Sequence, residues 1–223
     1  VWGPIGGLKQ FPTAYLQGAG LKIKVFNRLK NFLNIWQLKH DKRVNEAFKT
    51  AKLLISSIPD SYRAIKRYKG LESVIIPETG CFLSEDIPTE RFEEEYLHVM
   101  WVGKFDFRKQ LPLALWTIAT VANPHVILDV YGSGSDEQMH HAKYLASELG
   151  IEDMVVWHGN QSNDVVLEAM RKSQLFIFTS VSEDTSTVVL EAISNRLPVV
   201  CFDACGMAAV IDNKVGRKIS LSK

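Results

Sequence analysis

From His98 onward the chain repeats a two-part pattern: an apolar run ends in glycine or a small polar residue, and an amphipathic stretch with helical spacing follows. His98–Val102 is the first run, closed by Gly103, and a helix is predicted from Lys109 to Ala122, where Asn123-Pro124 stops it. Val126–Tyr131 is the second, followed by Gly132-Ser-Gly-Ser-Asp136 and a helix to Leu149, with Gly150 where a helix C-cap belongs. Met154–Trp157, Leu175–Thr179 and Pro198–Phe202 complete five strands, separated by helices over residues 162–172 and 185–195. Strands that are apolar throughout and alternate with helices build a parallel sheet covered on both faces. The pattern predicts an α/β fold, a Rossmann-like doubly wound parallel sheet, over residues 96–223.

Residues 1–95 are less regular and read as a partial N-terminal α/β domain. Trp2–Gly7 is a glycine-rich loop, Leu21–Ala51 is helical, and Leu53–Ile58 and Val74–Ile76 read as strands joined by a basic helix near Ser61–Lys69. Two strands and one crossover are too few for an independent sheet. This part therefore reads as the end of a domain whose beginning lies outside the chain, which starts at Val1 rather than Met. The C-terminal unit is likewise expected to be truncated at its far end. The acidic stretch Glu85–Glu95 reads as the linker.

Charge divides the chain at the same place. The total is only +1, but residues 1–80 carry fourteen Lys/Arg against five Asp/Glu, and residues 81–223 carry twelve against twenty. With 46% hydrophobic and 23% charged residues, disordered and collagen-like classes are excluded. Cys81, Cys201 and Cys205 are too few for a disulfide framework, so a reducing cytoplasm is expected. The longest uncharged stretch, Gln110–Leu128, is interrupted by Pro112 and Pro124 and reads as helix plus strand, not a membrane span.

One helical segment, residues 22–39, stands apart. Val25, Phe26, Leu29, Phe32, Leu33 and Trp36 share a face flanked by Lys24, Arg28 and Lys30. Such a stripe is ordinarily the core-facing side of a domain helix. Its aromatic residues and basic flanks also fit peripheral contact with an anionic membrane, on the inner face if the protein is cytoplasmic. Nucleic acid is not expected as a partner, because no recognised binding module accompanies the positive charge.

In open parallel sheets ligands bind beyond the carboxyl ends of the strands, where loops enter helix N-termini. After the first strand stand Gly103-Lys104 and Arg108-Lys109; after the second, Gly132-Ser133-Gly134; after the fourth, a hydroxyl-rich run from Thr179 to Thr187 that includes Glu183. Lysines and a helix N-terminus suit a diphosphate, since both present positive potential to an anion. Each feature alone is what an ordinary surface loop carries. Glu191 follows Glu183 by just over two helical turns, flanked by Leu190 and Ala192 in a helix that leads into a core strand. Cys201 and Cys205 read as buried thiols rather than zinc ligands, because no second ligand pair lies nearby. His158 ends a strand beside the expected cleft, where a structural role and contact with a nucleotide base both remain open.

Residues 98–216 resemble the C-terminal domain of glycosyltransferase family 4, retaining enzymes of the GT-B fold. The matching pieces are Val102-Gly103-Lys104 with Lys109, Val130-Tyr131-Gly132-Ser133-Gly134, Trp157-His158-Gly159, the Glu183…Glu191-Ala192 spacing and Pro198-Val199-Val200. The loop ending in Gly6-Gly7 resembles one in bacterial members that build capsule or lipopolysaccharide sugars, which places residues 1–95 on the acceptor side. The resemblance implies transfer of a sugar from a UDP- or GDP-linked donor to a glycan or lipid-linked acceptor. Glu183, Lys104 and Lys109 would be the catalytic set: the lysines hold the diphosphate as it leaves, and Glu183 supports the donor sugar. Glu191 would accept hydrogen bonds from ribose hydroxyls, and Ser186 and Thr187 would contact the distal phosphate. Gly6, Gly7, Gly132, Gly134 and His158 would complete the substrate site. No Asp-x-Asp pair occurs in the sequence, so no metal or other cofactor is expected.

Two departures stand out. Arg196 replaces a usual glycine, and Ala209 stands where many members carry a second acid. The loss at Ala209 favours, as alternatives, a non-catalytic nucleotide-sugar-binding protein; nucleotide-sugar epimerisation on the same fold is another.

Overall fold

The computed structural model describes residues 8, 10–16, 19–84, 91 and 95–221. Six strands form one parallel sheet: β3 (Leu97–Val102), β4 (Val126–Tyr131), β5 (Val155–Gly159), β6 (Leu175–Phe178), β7 (Val199–Phe202) and β8 (Gly216–Ile219). Their order is β5-β4-β3-β6-β7-β8. The chain thus winds outward from β3 in one direction and then, from β6, in the other, which is the doubly wound arrangement expected from the sequence.

Side chains alternate across this sheet and build two cores. On one face Val99, Trp101, Leu128 and Val130 pack with Leu111, Leu115 and Ile118 of α4 (Leu111–Val121) and with Ala142 and Ala146 of α5 (Asp136–Glu148). On the other, Met100, Phe176, Phe178 and Val199 meet Val166 and Met170 of α6 (Asn163–Lys172) and Val189 and Ala192 of α7 (Thr187–Ser194). Both sides of the four inner strands, β4, β3, β6 and β7, are therefore largely buried, which is why these runs are apolar without alternation.

Helix ends follow local chemistry. Ser135 and Gln138 form a reciprocal capping box at the start of α5, and Gly150 (φ 65) closes its end, with Ile151 N–H donating to Ala146 O at 3.0 Å. Helix α7 ends the same way, Leu197 N–H on Ala192 O at 2.9 Å, but the left-handed position is taken by Arg196 (φ 55). The substitution for glycine leaves the turn intact, at the steric cost of a Cβ in that region.

The sequence pattern misses α8 (Met207–Val210) and the edge strand β8. Arg91, inside the acidic stretch, is only 6% exposed. Its guanidinium donates to Met170 O (3.0 Å) and Arg171 O (3.0 and 3.1 Å) at the end of α6, and to Asn195 O (2.9 Å) and Arg196 O (2.7 Å) at the end of α7. One cation thus satisfies orphan carbonyls of two helices and faces the negative end of both dipoles.

The N-terminal region contains α1 (Leu21–His40), α2 (Lys42–Thr50), α3 (Pro59–Lys69) and a two-stranded parallel sheet of β1 (Ile55–Ser56) and β2 (Val74–Ile75). Asp41 divides the predicted long helix by capping α2, accepting from Val44 N–H at 3.0 Å. Leu38, Phe48 and Ile65 form a small core. The apolar stripe of α1 does not face it. Val25, Phe26, Leu29, Phe32, Leu33 and Trp36 are all exposed, and Leu38 is the buried residue of the helix. The inward side instead carries Asn31, whose side chain exchanges two hydrogen bonds with the Phe11 backbone at 2.9 and 3.0 Å.

The carboxyl edge of the sheet as a candidate active site

The winding direction reverses between β3 and β6, and the loops that follow these two strands are fastened together. Thr179 Oγ1 donates to Lys109 O at 2.7 Å, Val181 N–H donates to Arg108 O at 3.0 Å, and Ser180 Oγ lies 3.2 Å from the same Arg108 oxygen. Trp101 Nε1 completes the tie by donating to Thr179 Oγ1 at 2.9 Å. Across this junction Lys109 Nζ meets Glu183 Oε1 at 2.7 Å, with Arg108 Nη1 at 3.5 Å and Ser180 Oγ donating to the same oxygen at 3.0 Å. Lys109 also lies over the Phe178 ring, 5.3 Å from its centroid. Burial opposes the Arg108 charge, but Glu183 and Asp106 outweigh it and raise the guanidinium pKa. The junction is a cationic edge organised around one half-buried carboxylate.

Glycines let the neighbouring loops close in. Gly132 (φ 137) leaves no room for a side chain: a Cβ there would lie 1.8 Å from Gly103 O. Gly132 N–H donates to Gly159 O at 2.7 Å and Gly103 N–H to Tyr131 O at 2.9 Å, joining the ends of β3, β4 and β5. At Gly134 a Cβ would lie 2.6 Å from Gln138 Oε1 and 2.8 Å from the Phe105 Cβ.

The structure brings Lys109, Glu183, Gly132 and Gly134 to this edge, with Ser186 and Thr187 at the start of α7. Ser186 is buried and its side chain caps nothing; Thr187 is exposed. Lys104 is exposed and forms no ion pair with a described residue. Glu191 is half-buried in α7, and its carboxylate bonds to no described group. Gly6 and Gly7 lie outside the described residues. His158 is held in place: Nε2 is bonded to Asp129 Oδ1 at 2.6 Å, and the ring stacks on Tyr131 at 4.1 Å with 3° between planes. The other oxygen of buried Asp129 meets His98 Nδ1 at 2.6 Å. An acid inside an apolar strand run was the signal for this bridge, since a buried carboxylate needs partners.

Cys201 and Cys205 are both buried, and no group of three or more His, Cys, Asp or Glu that could hold a metal ion occurs among the described residues. Burial pushes the Cys201 thiol up to about 12. A cleft of about 300 Å³ adjoins the edge, lined by Asn27, Lys30 and Asn31 of α1 and by Asp106, Arg108 and Ser182. A larger cavity of about 830 Å³ lies among α2, α3 and β2 and shares no residue with the edge. No helix among the described residues is long and apolar enough to cross a membrane.

Residues 84–220 match the family model described as glycosyl transferases group 1. An uncharacterized glycosyltransferase of Methanocaldococcus jannaschii is 23% identical over 117 residues, which is 52% of this chain and 30% of that protein. Among solved structures, the lipopolysaccharide outer core galactosyltransferase WaaB, in its apo form, superposes with a TM-score of 0.66 at 22% identity, covering 82% of this chain and 52% of WaaB. The Anabaena protein HepE in complex with UDP gives 0.68 at 19% identity, covering 84% and 54%. WaaG, a glycosyltransferase involved in lipopolysaccharide biosynthesis, gives 0.64 at 22%, covering 96% and 60%. These likenesses bear on the fold, which is that of GT-B glycosyltransferases. The chain spans roughly half the length of these structures and a third of the archaeal relative.

Proposed function

With residues 84–220 matching its model, this chain belongs to the glycosyl transferases group 1 family, and from that premise we propose that it carries the donor side of a retaining sugar transferase using a nucleotide-diphosphate sugar. The observation that carries this reading is the Lys109–Glu183 pair at the reversal of the sheet, 2.7 Å apart. When the sugar–phosphate bond breaks, its electron pair stays on the diphosphate. Lys109, the exposed Lys104 and the N–H groups opening α7 supply positive potential where that charge grows. Glu183, adjacent to Lys109, supports the positive centre left on the sugar. Glu191, whose carboxylate has no partner among the described residues, accepts from the ribose hydroxyls. Gly132 and Gly134 admit the diphosphate close to backbone, and the ring nitrogen of His158 that bonds to no described residue is available to the base. The site is proposed to work without a bound metal, its charge neutralised by lysine and backbone.

The acceptor is proposed to be a glycan or lipid-linked hydroxyl compound, as in polysaccharide or lipopolysaccharide synthesis; HepE crystallised with UDP and the lipopolysaccharide roles of WaaB and WaaG support donor class and pathway type. The outward stripe of α1 supports peripheral contact with an anionic membrane at the cytoplasmic face. The helix carries five Lys/Arg and no Asp/Glu beside its exposed Phe26, Phe32 and Trp36. Sedimentation with phosphatidylcholine vesicles, with and without phosphatidylglycerol, checks this: binding only to the anionic vesicles, lost in Phe32→Glu, is expected, and indifference to either change refutes it.

Titration with UDP and GDP, followed by heat or NMR shifts, tests the donor reading. One of the two binds, Lys109→Ala weakens it roughly tenfold or more, and Glu191→Ala abolishes transfer by the full-length protein. Silence with both nucleotides refutes it, as does transfer left intact by Glu191→Ala. Turnover distinguishes transfer from mere binding, and product formed without an acceptor would instead indicate epimerisation.

A further inference from the structure

The N-terminal segment that follows β2 runs the length of α7. Glu78 meets Thr185 ahead of the helix, Cys81 Sγ donates to Leu190 O at 3.3 Å, and Ser194 Oγ at the far end both donates to Phe82 O at 2.5 Å and accepts from Ser84 N–H at 2.8 Å. The contact at the leading end is chemically distinct from the others. Glu78 places one carboxylate oxygen 2.7 Å from Thr185 N and the other 3.2 Å from Thr185 Oγ1. Thr185 is buried and immediately precedes Ser186 and Thr187.

The acidic residues nearest this end of helix α7, Glu183 and Asp184, lie in the loop ahead of it. Its first turn holds no acidic residue and Ser186 makes no side-chain cap, whereas α5 has both an internal capping box and two acids in its first turn. The Glu78 carboxylate therefore does what a bound anion would do, from a segment remote in sequence. A second carboxylate of the same region acts alike on the next loop: Asp60, in the first turn of α3, accepts from Cys205 N–H at 3.1 Å.

We infer that Glu78 is an intramolecular competitor for the donor diphosphate, occupying the approach to α7 until the nucleotide displaces it. The inference rests on the donor reading above. A diphosphate at Ser186 and Thr187 brings negative charge beside a carboxylate already bonded to the preceding residue, and like charges that close repel. Glu78 is exposed, so its release into water carries little cost beyond the two hydrogen bonds. Donor affinity is then reduced by the fraction of time the carboxylate is engaged. A contact closed about 70–90% of the time lowers apparent affinity about three- to tenfold.

The probe is UDP, titrated into the wild-type chain, Glu78→Ala, Glu78→Gln and Glu72→Gln. Glu72 is the control: it lies just ahead of β2 and carries the same charge, but is exposed and paired with Lys66 at 2.8 Å and Tyr62 at 2.6 Å. Glu78→Ala is expected to tighten UDP about three- to tenfold, with Glu78→Gln between it and wild type because the amide keeps an acceptor but loses the charge. Glu72→Gln should not differ from wild type. UDP binding by wild type that is unchanged or weakened in Glu78→Ala, or equally tightened in Glu72→Gln, overturns the role of Glu78 while leaving the donor reading standing. Absence of UDP and GDP binding to every variant overturns the donor reading and this inference with it. Thermal midpoints read in parallel identify a variant that has lost its fold, in which case Glu78→Asp, too short to span the same distance, replaces it.

Discussion

Replacing Arg91 should be among the most damaging single changes in the C-terminal unit, although nothing about its acidic surroundings marks it. Five hydrogen bonds from one guanidinium end on four carbonyls of two helix C-termini, at 2.7 to 3.1 Å. Arg91→Ala leaves those carbonyls without a donor at a site where the arginine is 6% exposed. Each charge-assisted bond is worth about 1.5–3 kcal/mol at most, and bonds sharing one donor group do not add. Burial lowers the arginine pKa, the mark of a desolvation penalty that removal recovers. The net loss should be about 3–5 kcal/mol, comparable to breaking a buried ion pair, which for a chain of this size lowers the thermal midpoint by about 6–20 °C. Arg91→Met separates hydrogen bonding from packing, since it keeps an apolar stem and no donor; it should fall close to alanine. Scanning calorimetry or thermal circular dichroism decides. A midpoint within about 2 °C of wild type for either variant would refute the argument that Arg91 holds the ends of α6 and α7.

Other expectations follow from the backbone and the thiols. Arg196→Gly should stabilise by about 0.5–1 kcal/mol, because relief of the left-handed Cβ penalty outweighs the opposing gain of freedom in the unfolded chain; urea midpoints would show it, and destabilisation would refute it. Gly132→Ala should cost more than about 3 kcal/mol or prevent folding, since its Cβ would collide with Gly103 O, whereas Gly150→Ala, open on all sides, should cost only about 1 kcal/mol for its φ of 65. Iodoacetamide at pH 8 should label Cys81 and spare Cys201 and Cys205 in the folded protein, read by peptide mass. Cys201 is buried with its thiol pushed up to about 12, so it stays protonated and inert until the pH nears that value.

The four inner strands were legible because burial on both faces demands continuous apolar runs, as at Val126–Tyr131 or Leu175–Phe178, and β5 at one edge because Val155-Val-Trp157 is itself an apolar run. The edge strand β8 was not. Gly216-Arg-Lys-Ile219 is largely exposed, and its place depends on Gly216, where a Cβ would lie 2.0 Å from Val199 O. Lys109 and Glu183 could be placed on neighbouring loops from the strand pattern alone, but the pairing distance depends on how the loops are tied. Arg91 and Glu78 were invisible because their partners are distant in sequence and are backbone groups, which every residue possesses, joined only at Glu78 by the Thr185 hydroxyl. For α1 the stripe is legible and its direction is open from sequence: periodicity defines a face, and only the Asn31 contacts and the buried Leu38 tell which way it turns.

Asp129 has a consequence for how the sheet assembles. A parallel ladder is evenly spaced, so sliding one strand by two residues keeps every side chain on its own face and restores most backbone bonds. Backbone and hydrophobicity alone therefore distinguish such alignments poorly. A single carboxylate bonded through one oxygen to His98 on β3 and through the other to His158 on β5 removes that degeneracy for three adjacent strands at once. Any slip of β4 would strand a buried charge between two strands. The bridge acts as an alignment mark, and it fixes where the loops bearing Gly103, Gly132 and Gly159 come to rest.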